Sequence, residues 1–197
     1  MMIVPDLGAA GQASDSGRLG EAALPGAASS LDEAERSQSS TLSWQRSSDL
    51  PRPLAGHATG SSHGALIVAG GTDFPTPLFE GGSKEWFDAV YVLEPASTRW
   101  RTHHRLPHPL AYAATATMGN RMLVAGGSDQ RRHYRDAFTL EWVSGRVERR
   151  ALPPLPSPIA MAGAAVIGQT LFVAGGQRQP DDAEALTSVW ALDLSSS

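Results

Sequence analysis

Three stretches of this 197-residue chain gather the side chains able to move protons or hold anions. The first holds Asp73, Glu80, Lys84 and Glu85, the second Asp129, Arg131, Arg132 and His133, and the third Gln177, Arg178, Asp181 and Asp182. A carboxylate or histidine whose pKa is set near the working pH serves as general acid or base. An arginine fork or a lysine ammonium holds a carboxylate, the arginine through two parallel hydrogen bonds. Asp73, Glu80, Lys84, Asp129, Arg132, His133 and Arg178 are therefore the candidate substrate-binding residues. Each has a plainer alternative, because loop charges are commonly solvated surface. His133 in particular is either a general base or a histidine hydrogen-bonded to a neighbouring loop. The other histidines, His57, His63, His103, His104 and His108, have neither ligand spacing nor partner carboxylates, so no metal site is expected.

These stretches must be positioned by short strands. The phrase Leu-Pro-x-Pro-(Leu/Ile)-Ala occurs at Leu50 to Ala55, Leu106 to Ala111 and Leu155 to Ala160, and each copy precedes a strand ending in Gly-Gly. The glycine pairs Gly70-Gly71, Gly126-Gly127 and Gly175-Gly176 are spaced 56 and 49 residues apart. Repeats near fifty residues built of strands point to a kelch-type β-propeller.

Aligned on the glycines, each copy reads as a small-residue strand, an apolar second strand, an aromatic third strand and a fourth strand before the next Leu-Pro. The second strands are Ala65 to Ala69, Arg121 to Ala125 and Thr170 to Ala174; the third strands place Tyr91, Phe138 and Trp190 at equivalent positions. Trp44 and Trp100 correspond in the fourth strands, and His103 and His104 fall beside the strand of Trp100. Antiparallel pairing of 65–69 with 90–94 and of 121–125 with 137–142 is expected. Small residues suit crowded inner strands, and aromatics fill the space between outer ones. Glycine after the second strand permits a positive φ and a sharp turn. A phosphate-cradling role is disfavoured, since no helix start or Gly-Lys-Ser/Thr follows.

Blades are expected at about 56–104, 112–152 and 161–194, with a closing strand at 42–47. Residues 1–41, rich in Gly, Ala and Ser without apolar period, read as a disordered leader. The formal charge of −4 falls within residues 1–50, where seven acidic face three basic residues, and the remainder balances. Nucleic-acid binding thus has no electrostatic support. No stretch approaches the roughly 20 apolar residues of a membrane span, so no membrane partner is expected. No secretory signal pattern is evident, which makes the cytoplasm the default compartment. The absence of cysteine removes disulfides, Cys-based metal sites and the Tyr-Cys crosslink of copper-dependent propeller oxidases. No cofactor is expected.

The run Gly64 to Pro75, then Phe79-Glu-Gly-Gly-Ser-Lys-Glu-Trp-Phe-Asp88 and Val90 to Glu94, resembles the cyclically permuted mutarotase family, bacterial kelch propellers related to N-acetylneuraminate epimerase. The stretches Gly127 to Tyr134, Leu152 to Pro156, Val173 to Gly176 and Ala191 to Leu194 continue the likeness. It implies a six-bladed ring, of which this chain supplies about three blades, and interconversion of sugar anomers, with a small carbohydrate or sialic acid as partner. Glu80 and Lys84 gain weight from lying in the family-like loop, where Trp86 is either a sugar-stacking face or blade packing. The resemblance also implies a catalytic Gly-Glu followed by Arg. No Gly-Glu occurs after Leu42, and in Gly176-Gln177-Arg178 the Gln cannot accept a proton, so no catalytic residue is assigned. A noncatalytic binding module or a gene fragment are the alternatives, and self-association through open propeller ends is expected.

Overall fold

The computed structural model describes residues 42–195. The expected leader at 1–41 lies outside them. The chain divides between Gln45 and Arg46, and the second unit, Arg46–Ser197, holds every described strand. No helix among the described residues is long and apolar enough to cross a membrane.

Blade one is a four-stranded antiparallel sheet of β1 (Ala58–Ser62), β2 (Ala65–Ala69), β5 (Ala89–Leu93) and β6 (Trp100–Arg105), in that order. Between β2 and β5 a two-stranded ribbon is formed by β3 (Thr72–Asp73) and β4 (Glu85–Trp86). Blade two repeats the order with β7 (Ala114–Met118), β8 (Arg121–Ala125), β9 (Ala137–Val143) and β10 (Arg146–Leu152). Blade three has three strands, β11 (Gly163–Ile167), β12 (Thr170–Ala174) and β13 (Val189–Asp193). The expected registers form: Leu66 faces Leu93 and Ala69 faces Val90, while Met122 faces Leu140 and Ala125 faces Ala137. His103 and His104 lie inside β6 rather than beside it, and the His104 ring meets Trp142 of blade two edge-on at 5.5 Å.

The second strands are buried because each is sandwiched between neighbouring strands in its sheet and, in blades one and two, against the next sheet. One apolar cluster joins Ile67, Ala69, Val90 and Val92 of blade one to Met122, Val124, Phe138 and Leu140 of blade two. A second joins Leu123, Ala125 and Ala137 of blade two to Leu171 and Val173 of blade three, with Trp190 packed against it. The Ser62 hydroxyl, fully buried between blades, donates to the Asn120 carbonyl at 2.6 Å and accepts from the Trp142 N–H at 2.8 Å. Its hydrogen-bonding capacity is thereby satisfied.

The paired glycines do more than turn the chain. Their φ values are 66° and 102° in blade one and 68° and 101° in blade two. A Cβ on Gly70 would fall 1.9 Å from the Leu110 carbonyl oxygen, and one on Gly126 2.2 Å from that of Ile159. The following blade's Leu-Pro-x-Pro phrase therefore seats directly on the glycine backbone.

The closing strand expected at 42–47 does not form: residues 42–50 have no strand, and Trp44 is fully exposed. Ser43-Trp-Gln-Arg46 offers a single apolar side chain, too little to hold a strand against a sheet edge. Arg46 instead closes a local fork on Asp49, at 2.8 and 3.0 Å.

Candidate functional site

The loop after β2 is bent back by its Glu-Gly-Gly-Ser-Lys sequence. A 3-10 turn at Leu78–Glu80 ends on Gly81 in the left-handed region, and a Cβ on Gly82 would lie 1.8 Å from the Thr76 carbonyl oxygen. The return strand β4 then brings Lys84 and Trp86 to the edge of blade two. There the Lys84 ammonium donates to the Tyr112 hydroxyl at 3.1 Å. It also lies 5.4, 5.5 and 5.2 Å from the ring centroids of Phe74, Trp86 and Tyr112, within cation–π range. Trp86 meets Tyr112 edge-on at 5.7 Å, and the buried Thr72 hydroxyl is 3.4 Å from the phenol oxygen.

Tyr112 is held in an uncommon conformation, with φ 57°. A non-glycine residue there carries strain of about 1–2 kcal/mol. Its N–H donates to the Gly56 carbonyl at 2.7 Å, and its own carbonyl accepts from the Met161 N–H at 2.8 Å. Gly56 and Met161 have matching φ values of 61° and 60°. One residue per blade, directly after the Leu-Pro-x-Pro phrase, thus links each inner strand to the next. Burial pushes the Tyr112 phenol up, but the Thr72 and Lys84 hydrogen bonds and the Lys84 charge outweigh it, so its pKa falls below the ordinary tyrosine value.

The second loop is organised differently. One Asp129 oxygen accepts from the Arg131 and Arg132 N–H groups at 2.7 and 2.9 Å, and the other accepts from the Tyr134 hydroxyl at 2.5 Å. Burial would raise its pKa; the Tyr134 and backbone hydrogen bonds and the Arg132 charge overcome that and lower it. Arg132 is exposed, with its guanidinium 4.9 Å from the Tyr134 ring centroid. That ring stacks on His108 at 4.1 Å. His133 is buried, and its Nδ1 lies 3.1 Å from the Gln177 carbonyl of blade three. It occupies the position equivalent to Trp86, since both pair with the residue after Gly-Gly.

In the third loop the Arg178 N–H donates to the Asp182 carboxylate at 2.9 Å, and the Arg178 side chain is exposed. Asp73 accepts from its neighbour Phe74 N–H at 2.8 Å, and Glu80 is exposed on the 3-10 turn. The structure therefore joins Lys84 and Trp86 of blade one to Tyr112 across a blade boundary. Asp73 and Asp129 are spent on their own loops. Tyr112 and Thr72 were not singled out by sequence; the signal for Tyr112 is that it bears a hydroxyl where the other two copies have Gly56 and Met161. A separate cleft of about 150 Å³ between blades two and three is lined by apolar residues such as Leu155, Leu171 and Trp190 and contains none of the candidate side chains. Among the described residues no group of three or more His, Asp or Glu is placed to hold a metal.

No protein-family profile matches the chain. An N-acetylneuraminate epimerase of Yersinia pestis (strain Pestoides F) is 30% identical over 129 residues, covering 56% of this chain and 32% of that protein. One of Salmonella enteritidis PT4 is 31% identical over 106 residues, covering 45% and 27%. The chain is similar to N-acetylneuraminate epimerases over part of its length. It spans about a third of the length of these relatives. A solved structure of YjhT superimposes with a TM-score of 0.65 at 15% identity, covering 80% of this chain and 54% of that one. With three successive antiparallel sheets, this likeness establishes an all-β, partial propeller. Within the loop 79–88, Lys84 and Trp86 both reach Tyr112 of the next blade.

Proposed function

We infer that the Lys84–Tyr112–Trp86 cluster binds an acidic monosaccharide as part of a mutarotase or N-acetylneuraminate epimerase-like site. The contact of Lys84 with Tyr112 carries this reading: it places a cation, a phenol of lowered pKa and aromatic faces together. The ammonium suits the sugar carboxylate, and the indole of Trp86 suits the apolar face of a pyranose. Anomer exchange requires a base to take the proton of the anomeric hydroxyl while an acid protonates the ring oxygen. The bond between the anomeric carbon and the ring oxygen then breaks, and reclosure on the other face of the carbonyl returns both protons. Of the three candidate carboxylates, Asp73 and Asp129 are held by their own loops, and Glu80 is exposed on the 3-10 turn. This favours a chain that binds sugar without turning it over by itself, the noncatalytic reading.

Magnetisation-transfer NMR on N-acetylneuraminate, galactose and glucose tests both parts. Saturation-transfer contact with N-acetylneuraminate, lost in Lys84→Ala, is expected, with α/β exchange at the buffer rate. Loss of a general base costs on the order of 10² to 10⁴ in rate. Exchange well above buffer that disappears in Tyr112→Phe would place the catalytic centre inside this chain and overturn the noncatalytic part. Binding indifferent to Lys84→Ala would overturn the site.

A further inference from the structure

A side chain that only the fold requires recurs at its repeat position, because each blade is a copy of one unit. The cluster around Lys84 does not recur. In blade two, pairing with the residue after Gly-Gly places His133 where blade one has Trp86. Counting on from Gly-Gly puts Gln130 at the place of Phe74, and counting back from His133 puts Arg131 at that of Lys84. The equivalent of Tyr112 is Met161, with φ 60° against 57°. Blade two forms the same four-stranded sheet as blade one, so the three rings of Phe74, Trp86 and Tyr112 are not needed to build a blade.

What the rings do is surround a charge. Their centroids stand 5.4, 5.5 and 5.2 Å from the Lys84 Nζ, all within the range over which a ring face attracts a cation. Two of these walls are anchored. Trp86 pairs with Thr72 in the ribbon, and the Tyr112 ring seats on Gly56, where a Cβ would fall 2.4 Å from its Cε1. Phe74 differs: it opens the loop after β3, is 37% exposed and belongs to neither apolar cluster. Its N–H is turned back on the Asp73 carboxylate at 2.8 Å, and the following Pro75 narrows its backbone to extended conformations. A lysine stem is a flexible four-carbon chain with three N–H donors. One of them reaches Tyr112, and a third wall fixes the direction in which the others point. The neighbouring carboxylate, Glu85, faces Arg52 at 4.0 Å instead.

We propose that Phe74 is a positioning residue for the Lys84 ammonium, the third wall of an aromatic cage that aims the remaining N–H groups at one carboxylate and so makes the site prefer an acidic sugar to its neutral counterpart. This rests on the acidic-monosaccharide reading of the Lys84–Tyr112–Trp86 cluster. Lys84 is half-buried in the cage, and an ammonium with water partly removed attracts a carboxylate more strongly than one in bulk solvent. The rings offset that loss of water without supplying an anion that competes with the ligand.

Phe74→Leu keeps apolar bulk and removes the ring, and Phe74→Trp keeps a ring face. NMR titration with N-acetylneuraminate and with its uncharged methyl ester reads the preference for the acid. Phe74→Leu should lower the ratio of the two affinities by about two- to fivefold, the worth of one exposed cation–π contact, with ester binding and the urea midpoint unchanged. Phe74→Trp should keep the ratio. A second readout needs no sugar. In ultraviolet titration against Tyr112→Phe, Phe74→Leu should move the Tyr112 phenol upward, in the direction of Lys84→Ala, and Phe74→Trp should leave it in place. An unchanged ratio in Phe74→Leu overturns the selectivity, and an unchanged phenol overturns the hold on Lys84. A lowered urea midpoint with an unmoved phenol makes Phe74 mere packing and overturns both. A parent chain that does not bind N-acetylneuraminate overturns the sugar site and with it the selectivity, whereas the hold of Phe74 on Lys84 stands or falls on the phenol titration alone.

Discussion

Gly126→Ala isolates what close approach between blades contributes. The residue has φ 68°, so a Cβ costs about 1–2 kcal/mol in backbone strain alone. In addition that Cβ would stand 2.2 Å from the Ile159 carbonyl oxygen and 3.2 Å from its carbon. Restoring ordinary contact moves the phrase of blade three by about 1 Å, and the oxygen displaced is the acceptor of the Gly127 N–H at 2.8 Å. Losing that bond and leaving a buried group unsatisfied costs about 1–3 kcal/mol. The sum is about 2–5 kcal/mol, a large share of the roughly 5–15 kcal/mol that holds a domain. At about 2–4 °C per kcal/mol for a body of this size, the midpoint should drop by about 10 °C. Gly145→Ala is the control: φ is 81°, but nothing lies within 4 Å of the added Cβ, so only the strain of about 1–2 kcal/mol applies. Urea and thermal unfolding followed by tryptophan fluorescence compare the two. Equal losses would refute the claim that the glycine pair exists for inter-blade seating.

Lys84→Ala removes both a hydrogen bond and a charge from Tyr112, leaving burial opposed by the Thr72 hydrogen bond alone, so its phenol should titrate higher than in the parent; ultraviolet titration with Tyr112→Phe as reference reads this, and an unchanged titration would refute the contact. Burial lowers the His57 pKa below 6.5 against a weaker contribution from the Leu54 backbone. The unfolded chain then takes up that proton first, so stability should fall as pH drops through 6.5 and level off below the folded pKa, a slope that His57→Gln should remove from urea midpoints. Asp129 has its pKa lowered from 3.8, so its contribution is present above that pH and is lost as pH falls through the folded value. Asp129→Ala should cost about 2 kcal/mol at neutral pH by freeing two N–H groups and the Tyr134 hydroxyl; a neutral effect would show that the loop holds without it.

Strand identity and pairing were legible in the sequence because they have a local cause. Ala65 to Ala69 and Arg121 to Ala125 are short apolar runs bounded by turn residues, and the repeated glycines align them, so order and register follow from pattern alone. The closing strand around Trp44 was misplaced by the same logic: a tryptophan at the repeat position looks like its copy Trp100, but a strand also needs enough apolar surface to hold it. At the candidate site, the loop containing Lys84 was visible as a motif, while its partner was not. Tyr112 lies 28 residues on, in another blade, and reaches Lys84 through the offset between stacked sheets, which no local spacing encodes. Asp129 shows the converse. Its type and loop position suggested a substrate-binding carboxylate, and only the folded loop shows two N–H groups and a phenol aimed at it. Periodicity specifies what each blade is; the packing of blade on blade specifies which side chains are left to meet a ligand.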